Sequence, residues 1–265
     1  ILSFSEWTNP FVAFSLFGLK LPLFLSDRMS PLAKLPFISE FLRGIYYKKA
    51  TGIIAQSNFA KEVLKKKTNA TNISVIYNPV NVIPRIDCTP KKRIVSVGRL
   101  EEVKGHKFLI QAFAKVNNLD WELSIVGDGS LKAELENLTK ELGVSDRVIF
   151  HGHLSDFGLQ LSEAEIFVLP SLSEGFPNAL IEAMSLPMAC IASDTFNGFN
   201  EIVENGINGV LVKPGNISEL TSAIKMLIDD KTMRVLLKEN AIKVRENLNF
   251  EKIAQSYLDI IMPNK

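Results

Sequence analysis

The chain has 265 residues, 46% of them hydrophobic and 22% charged, with a formal net charge of +1, proportions that fit a globular fold and exclude a disordered or low-complexity chain. Cys88 and Cys190 are the only cysteines, too few for a disulfide framework or a zinc cluster, and they read as buried free thiols in a reducing compartment. Charge is unevenly spread: residues 1–95 carry 14 Lys or Arg against 5 Asp or Glu, the remainder 16 against 24, which fits either solvated lysines on surface helices or attraction of the first part to an anionic membrane face or acceptor.

Ile1 follows no basic leader or small-residue cleavage site, so the sequence reads as a segment cut from a longer one. Residues 10–25, "PFVAFSLFGLKLPLFL", are the most apolar stretch, but Lys20 and Pro22 interrupt it short of the roughly 20 residues a membrane span requires. A buried helix, a turn and a strand are expected there, with Trp7 and Trp121 in the core. A helix at 34–49, a strand at 52–57, a helix at 58–67 and a strand at 73–78 complete residues 1–78, which amount to half of a doubly wound domain. Residues 79–92, with three prolines, form the linker.

From 93 onward strands and helices alternate, which signals a parallel sheet covered on both faces. "RIVSVG" precedes a helix near 105–117, "WELSIVG" one near 130–142, "RVIFHG" one near 155–163, and "IFVLPS" a helix opening at Pro177. "MACIAS" and "GVLVKP" follow, then a helix over 216–230 capped by Asn216 or Ser218. The domain is expected to span 93–245, with residues 246–265 a helix returning toward the first domain. The fold class is therefore α/β, two doubly wound parallel-sheet domains, the first incomplete.

Ligands of such sheets sit beyond the carboxyl ends of the strands. There the loop "VGRLEEVKG" offers Gly98 for a sharp turn and two cations, Arg99 and Lys104, a seat for a diphosphate or simply two solvated charges. "VGDGSLK" places Gly127 and Gly129 before a helix, but Lys132 replaces the third glycine of a dinucleotide fingerprint and the ribose position further on, where the sequence reads "RVIFHGH", holds no acid, which argues against NAD. "PSLSEGFPNALIEAM" brackets a helix start with Glu174 and Glu182. With Pro177 as the first helical residue, Asn178, Ala179 and Leu180 offer free amides for an anion. One carboxylate is then placed for the ribose of a nucleoside diphosphate sugar and the other for its sugar. His151 and His153 lack a neighbouring cysteine, so no metal site is expected.

These stretches, with "NEIVENGINGVLVKPGN", occur in the order of the retaining glycosyltransferases of family 4, of the GT-B fold, which residues 93–245 resemble. The resemblance implies that Arg99 and Lys104 hold the donor diphosphate, that Glu174 contacts the transferred sugar, and that Glu182 contacts the ribose. It also implies backbone contacts from Phe176, Pro177, Asn178 and Ala179 to sugar or phosphate, and from His151, Gly152 and His153 to the base. There is no DxD triplet, so neither a metal nor another cofactor is expected and the leaving group would rest on cations and amides. Residues 1–78 resemble the second half of the acceptor domain. Where many members place a histidine, this chain reads Ser26-Asp27-Arg28, so that role passes to Asp27 or Arg28 or is unfilled; a salt bridge in a turn is the plainer reading. The expected activity is transfer of a hexose or N-acetylhexosamine from a nucleotide sugar, UDP-linked, to a saccharide or lipid-linked acceptor. It would run in the cytoplasm or at the inner membrane face, without nucleic acid. A nucleotide-sugar 2-epimerase of the same fold and a donor-binding chain without turnover are the alternatives.

Overall fold

The structure, a computed structural model, describes residues 1–116, 118–195 and 199–262. Asn117 and residues 263–265, at the ends of two expected helices, lie outside the described residues. The first unit alternates β1 (Leu2–Phe4), α1 (Asn9–Ser15), β2 (Phe24–Ser26), α2 (Phe37–Tyr46), β3 (Gly52–Ala55), α3 (Asn58–Thr68) and β4 (Ile73–Val75). Its four strands are parallel in the order β1-β2-β3-β4. α3 starts where Ser57 caps the Ala60 amide at 3.0 Å and stops at Asn69, whose φ of 54° is left-handed.

The second unit runs β5 (Arg93–Val97), α4 (His106–Ala114), β6 (Glu122–Val126), α5 (Lys132–Glu141), β7 (Val148–Gly152), α6 (Gly158–Ser162), β8 (Ile166–Leu169), α7 (Asn178–Met184), β9 (Ala189–Ser193), β10 (Val210–Val212) and α8 (Ile217–Asp229). The sheet order is β10-β9-β8-β5-β6-β7, all parallel. Alternate residues of the central strands feed opposite cores: Ile94 and Val168 pack under α4 and α8, while Val95 and Phe167 pack under α7. That two-sided burial explains why the strands read as continuous apolar runs. α8 is capped by the Asn216 side chain on the Glu219 amide at 3.1 Å.

The tail forms α9 (Lys231–Ala241), α10 (Val244–Asn247) and α11 (Phe250–Ile261). α11 lies on the first sheet: Ile253 is buried with Ile54 and Ile76, and the Tyr257 ring stands 6.2 Å from that of Phe4.

Three sequence expectations about burial fail. α1 buries only Asn9, Pro10 and Ala13, so Phe11 and Phe14 face outward, followed by an exposed Phe17. The small Ala13 is what fits against the sheet, and the bulky neighbours turn away from it. Trp7 is 49% exposed whereas Trp121 is 3% exposed, beneath the Arg234 guanidinium. Cys190 is buried and burial raises its thiol pKa, but Cys88 is only half-buried.

Candidate active site at the strand switch

β5 and β8 are far apart in sequence but hydrogen-bonded neighbours in the sheet. The strand order reverses between them, so the loops leaving their carboxyl ends flank a crevice, the usual ligand seat of an open α/β sheet. After β5 come Gly98, the exposed Arg99 and a short 3-10 turn over Glu102–Lys104. After β8 comes the segment from Pro170 to Pro177. The two loops touch: Lys104 Nζ lies 2.7 Å from Glu174 Oε1, which also accepts from Ser171 Oγ at 2.7 Å. The side chains of Lys104 and Glu174 are only 21% and 10% exposed, so the pair is partly shielded from water. The Arg99 carbonyl accepts from the Glu101 amide at 2.9 Å, but its guanidinium has no hydrogen-bond or ion-pair partner among the described residues. It joins Lys104 and Glu174 in a hollow of about 380 Å³ whose far wall is Met29 and Leu32 of the first unit.

The helix start departs from expectation by one residue. α7 begins at Asn178, and Pro177, with φ −84° and ψ 62°, is its cap rather than its first helical residue. The Asn178 amide is already donated to the Phe176 carbonyl at 2.9 Å. Among the described residues this leaves the amides of Ala179 and Leu180 without a carbonyl partner, two donors rather than three. α7 is seven residues long, so any attraction for an anion comes from those local N–H groups more than from a summed dipole. The side chains of Phe176 and Leu180 are buried in the core, which leaves only their backbone for a ligand. Glu182, one turn into α7, borders a second hollow of about 270 Å³ with Asn78, Asn81 and Asn178. Burial raises its pKa, and Asn81 Nδ2 at 3.5 Å is its weak partner. The two glutamates therefore look into different hollows on either side of the α7 start.

The glycines of "VGDG" have a packing role. Gly127 has φ +144°, and a Cβ there would lie 1.9 Å from the Gly98 carbonyl oxygen; one on Gly129 would lie 2.5 Å from that of Leu100. They let the β6 loop press on the loop that carries Arg99. His151 is turned to Ser124 Oγ at 3.2 Å, its pKa lowered chiefly by burial; Gly152 follows with φ +69°, and His153 is exposed. Among the described residues no group of three or more His, Cys, Asp or Glu is placed to hold a metal ion.

On the first unit, Asp27 does not reach the crevice. It is buried and accepts from Arg43 at 3.2 Å, Asn9 Nδ2 at 2.9 Å and Tyr47 Oη at 2.9 Å, so it anchors α1 and α2 instead of serving an acceptor. Its partner lies sixteen residues on, not in the same turn. Arg28 donates to Tyr257 Oη at 2.7 Å and to Asn78 Oδ1, and its guanidinium lies 5.0 Å from the Phe4 ring centre. Asn78 also accepts from Gln56 at 2.7 Å and donates to Asn178 Oδ1 at 3.0 Å. This asparagine thus ties Arg28 to the start of α7.

The model of the family described as glycosyl transferases group 1 matches residues 87–244. The chain belongs to that family. Among curated relatives of this group 1 chain, an N-acetylgalactosaminyltransferase of Campylobacter jejuni, named for a diphospho-undecaprenol substrate, is 30% identical over 85% of this chain. A lipopolysaccharide 1,6-galactosyltransferase of Salmonella typhimurium is 32% identical over 65%. The chain spans 64% and 50% of those two relatives' own lengths. The crystal structure of Anabaena Alr3699/HepE in complex with UDP and glucose superposes with a TM-score of 0.87 at 22% identity, covering 97% of this chain and 77% of that one. The fold is GT-B, two Rossmann-like units facing across a cleft.

Two cleft residues of the group 1 chain carry no signal in the sequence. A Cβ on Gly175 would lie 2.7 Å from the Met29 carbonyl carbon and 2.8 Å from the Ser30 nitrogen, so this glycine lets the loops of the two units meet backbone to backbone. Glu201 accepts from the Asn58 amide at 3.0 Å, Asn58 Nδ2 at 2.8 Å, the Phe59 amide at 3.3 Å and Tyr77 Oη at 2.8 Å. It caps α3 from the other unit. Both sit inside quoted motifs, but their roles depend on contacts more than a hundred residues away.

Proposed function

We propose that the protein is a retaining, family 4-type glycosyltransferase that moves a hexose or N-acetylhexosamine from a UDP-sugar to a lipid-linked or saccharide acceptor in surface-polysaccharide assembly. The observation that carries this reading is the 2.7 Å contact of Lys104 with Glu174 at the strand switch. It puts a cation for phosphate beside a carboxylate for sugar hydroxyls, with Arg99 on the same hollow. The activities for which these relatives are named support the choice of acceptor class.

In this reading the diphosphate bridges Arg99, Lys104 and the Ala179 and Leu180 amides. Glu174 accepts from hydroxyls of the sugar, and Glu182 accepts from the ribose. The bond from the anomeric carbon to the diphosphate oxygen breaks as charge develops on that oxygen, where fixed cations and amides stabilise it most. The acceptor hydroxyl bonds to the same face of the anomeric carbon, and its proton passes to the departing phosphate oxygen. No metal is required, since the chain's own cations meet the charge.

Calorimetric titration with UDP tests the assignment. Arg99→Ala and Lys104→Ala should each weaken binding by about 1–3 kcal/mol, the worth of a charge-assisted hydrogen bond. Glu174→Gln releases Lys104 and should leave UDP affinity intact while turnover falls, and Glu182→Gln should weaken UDP. Unchanged affinity in both cation variants sinks the diphosphate seat. Turnover abolished by EDTA would refute metal independence, and conversion of UDP-GlcNAc without an acceptor would favour the epimerase.

A further inference from the structure

α2 is built inside out. Its buried side chains are Ser39 and Arg43, while Phe37, Ile38 and Phe41 face water, Phe37 at 85% exposure. A helix on a water-facing protein surface normally does the reverse. α1 extends the same surface, because Phe14 and Phe17 pack edge-on against Tyr46 of α2 at centroid distances of 5.4 and 5.2 Å. An uncovered aromatic surface of this extent marks an interaction site.

The charges around it say what kind. In residues 1–61 the acids are Glu6, Asp27 and Glu40, and all three are turned inward or engaged. Glu6 is buried against the Met29 amide, Asp27 is bonded to Arg43, and Glu40 faces Arg43 and Lys67. Lys20 follows α1, Lys34 precedes α2, and Lys48 and Lys49 form the turn after it; all four are exposed and none makes an ion pair among the described residues. An aromatic centre bordered by unpaired ammonium groups is what a bilayer interface with anionic headgroups accepts: the rings enter the acyl boundary and the lysines reach up to phosphates.

We propose that the α1/α2 face docks the protein onto an anionic phospholipid bilayer and sets the orientation in which the cleft meets a lipid-linked substrate. The second half of this proposal deepens the transferase reading and rests on it; the docking itself does not. The face continues to the cleft, since Trp7 Nε1 lies 3.1 Å from Met29 Sδ, and Met29 and Leu32 wall the hollow of Lys104 and Glu174. A lipid-anchored acceptor could then present its head to the hollow without leaving the membrane.

Vesicle flotation of the intact protein, with phosphatidylcholine alone or mixed with phosphatidylglycerol, tests the docking. Binding is expected to the anionic vesicles only and to fall with salt. It should drop at least tenfold in Phe37→Ser/Phe41→Ser and in Lys34→Gln/Lys48→Gln/Lys49→Gln. Both variants alter exposed side chains, so their unfolding midpoints and UDP affinities should match the parent. Bound protein should show blue-shifted emission that Trp7→Phe abolishes, because Trp121 is already buried. Absence of flotation, equal binding to neutral vesicles, or indifference to both variants overturns the proposal. So does a lipid-independent dimer that Phe37→Ser/Phe41→Ser splits, which would assign the face to a second copy. None of these results touches UDP binding, so failure here leaves the donor site standing.

Discussion

His106 is sealed behind Gly98, and neither of its ring nitrogens has a hydrogen-bond partner among the described residues. Burial first, and the charge of Lys104 second, push its pKa down to about 4. The unfolded chain takes up a proton there below about 6.5 and the folded one does not, so stability is full above that pH and drains away between 6.5 and 4. Urea unfolding should lose about 2 kcal/mol between pH 7 and pH 5 at this site, a loss missing in His106→Leu. Asp27→Asn should cost about 3–5 kcal/mol by stranding Arg43, and should leave UDP affinity unchanged, which denaturation and calorimetry read separately. That Arg99, Lys104 and Glu174 line one hollow and Glu182 the next agrees with their placement at strand-to-helix turns, which the sequence pattern alone supplies. Asp27 was misplaced because its three donors come from α1, α2 and the turn after it, and no local pattern shows them. Asn78 was invisible for the same reason: an amide gains meaning only from what it touches.

Among the elements, loop-on-loop contact governs the site. Gly127→Ala drives a methyl into the Gly98 carbonyl, and either the β6 loop lifts or the Arg99 loop shifts. A destabilisation on the order of 3 kcal/mol is expected, with weaker UDP binding, readable from the unfolding midpoint and a titration. Alternation of strands and helices was readable because parallel strands buried on both faces are continuous apolar runs. What periodicity could not reveal was direction: α2 has the pattern of an amphipathic helix whichever face turns inward, and Arg43 bonding to Asp27 decides it. The start of α7 slipped by a residue for a comparable reason, since the Phe176 carbonyl takes the Asn178 amide ahead of the helix.

For the molecule as a whole, Glu201 is the strap between the two units. Burial, and then this carboxylate, push the Tyr77 phenol up to about 12. Glu201→Ala should return the phenol toward its ordinary value near 10 in a spectrophotometric titration. It should also speed hydrogen exchange at the Asn58 and Phe59 amides, while an unchanged exchange rate would deny the strap. A second tie has a consequence for synthesis. Ile54 and Ile76 are covered by Ile253 and Tyr257 of α11, roughly 200 residues later, so at about 5–20 residues per second the growing polypeptide carries an unfinished first sheet for roughly 10–40 s. Translation through the whole second unit must pass before that sheet is shielded, which makes the nascent chain a natural client for chaperones at the ribosome exit.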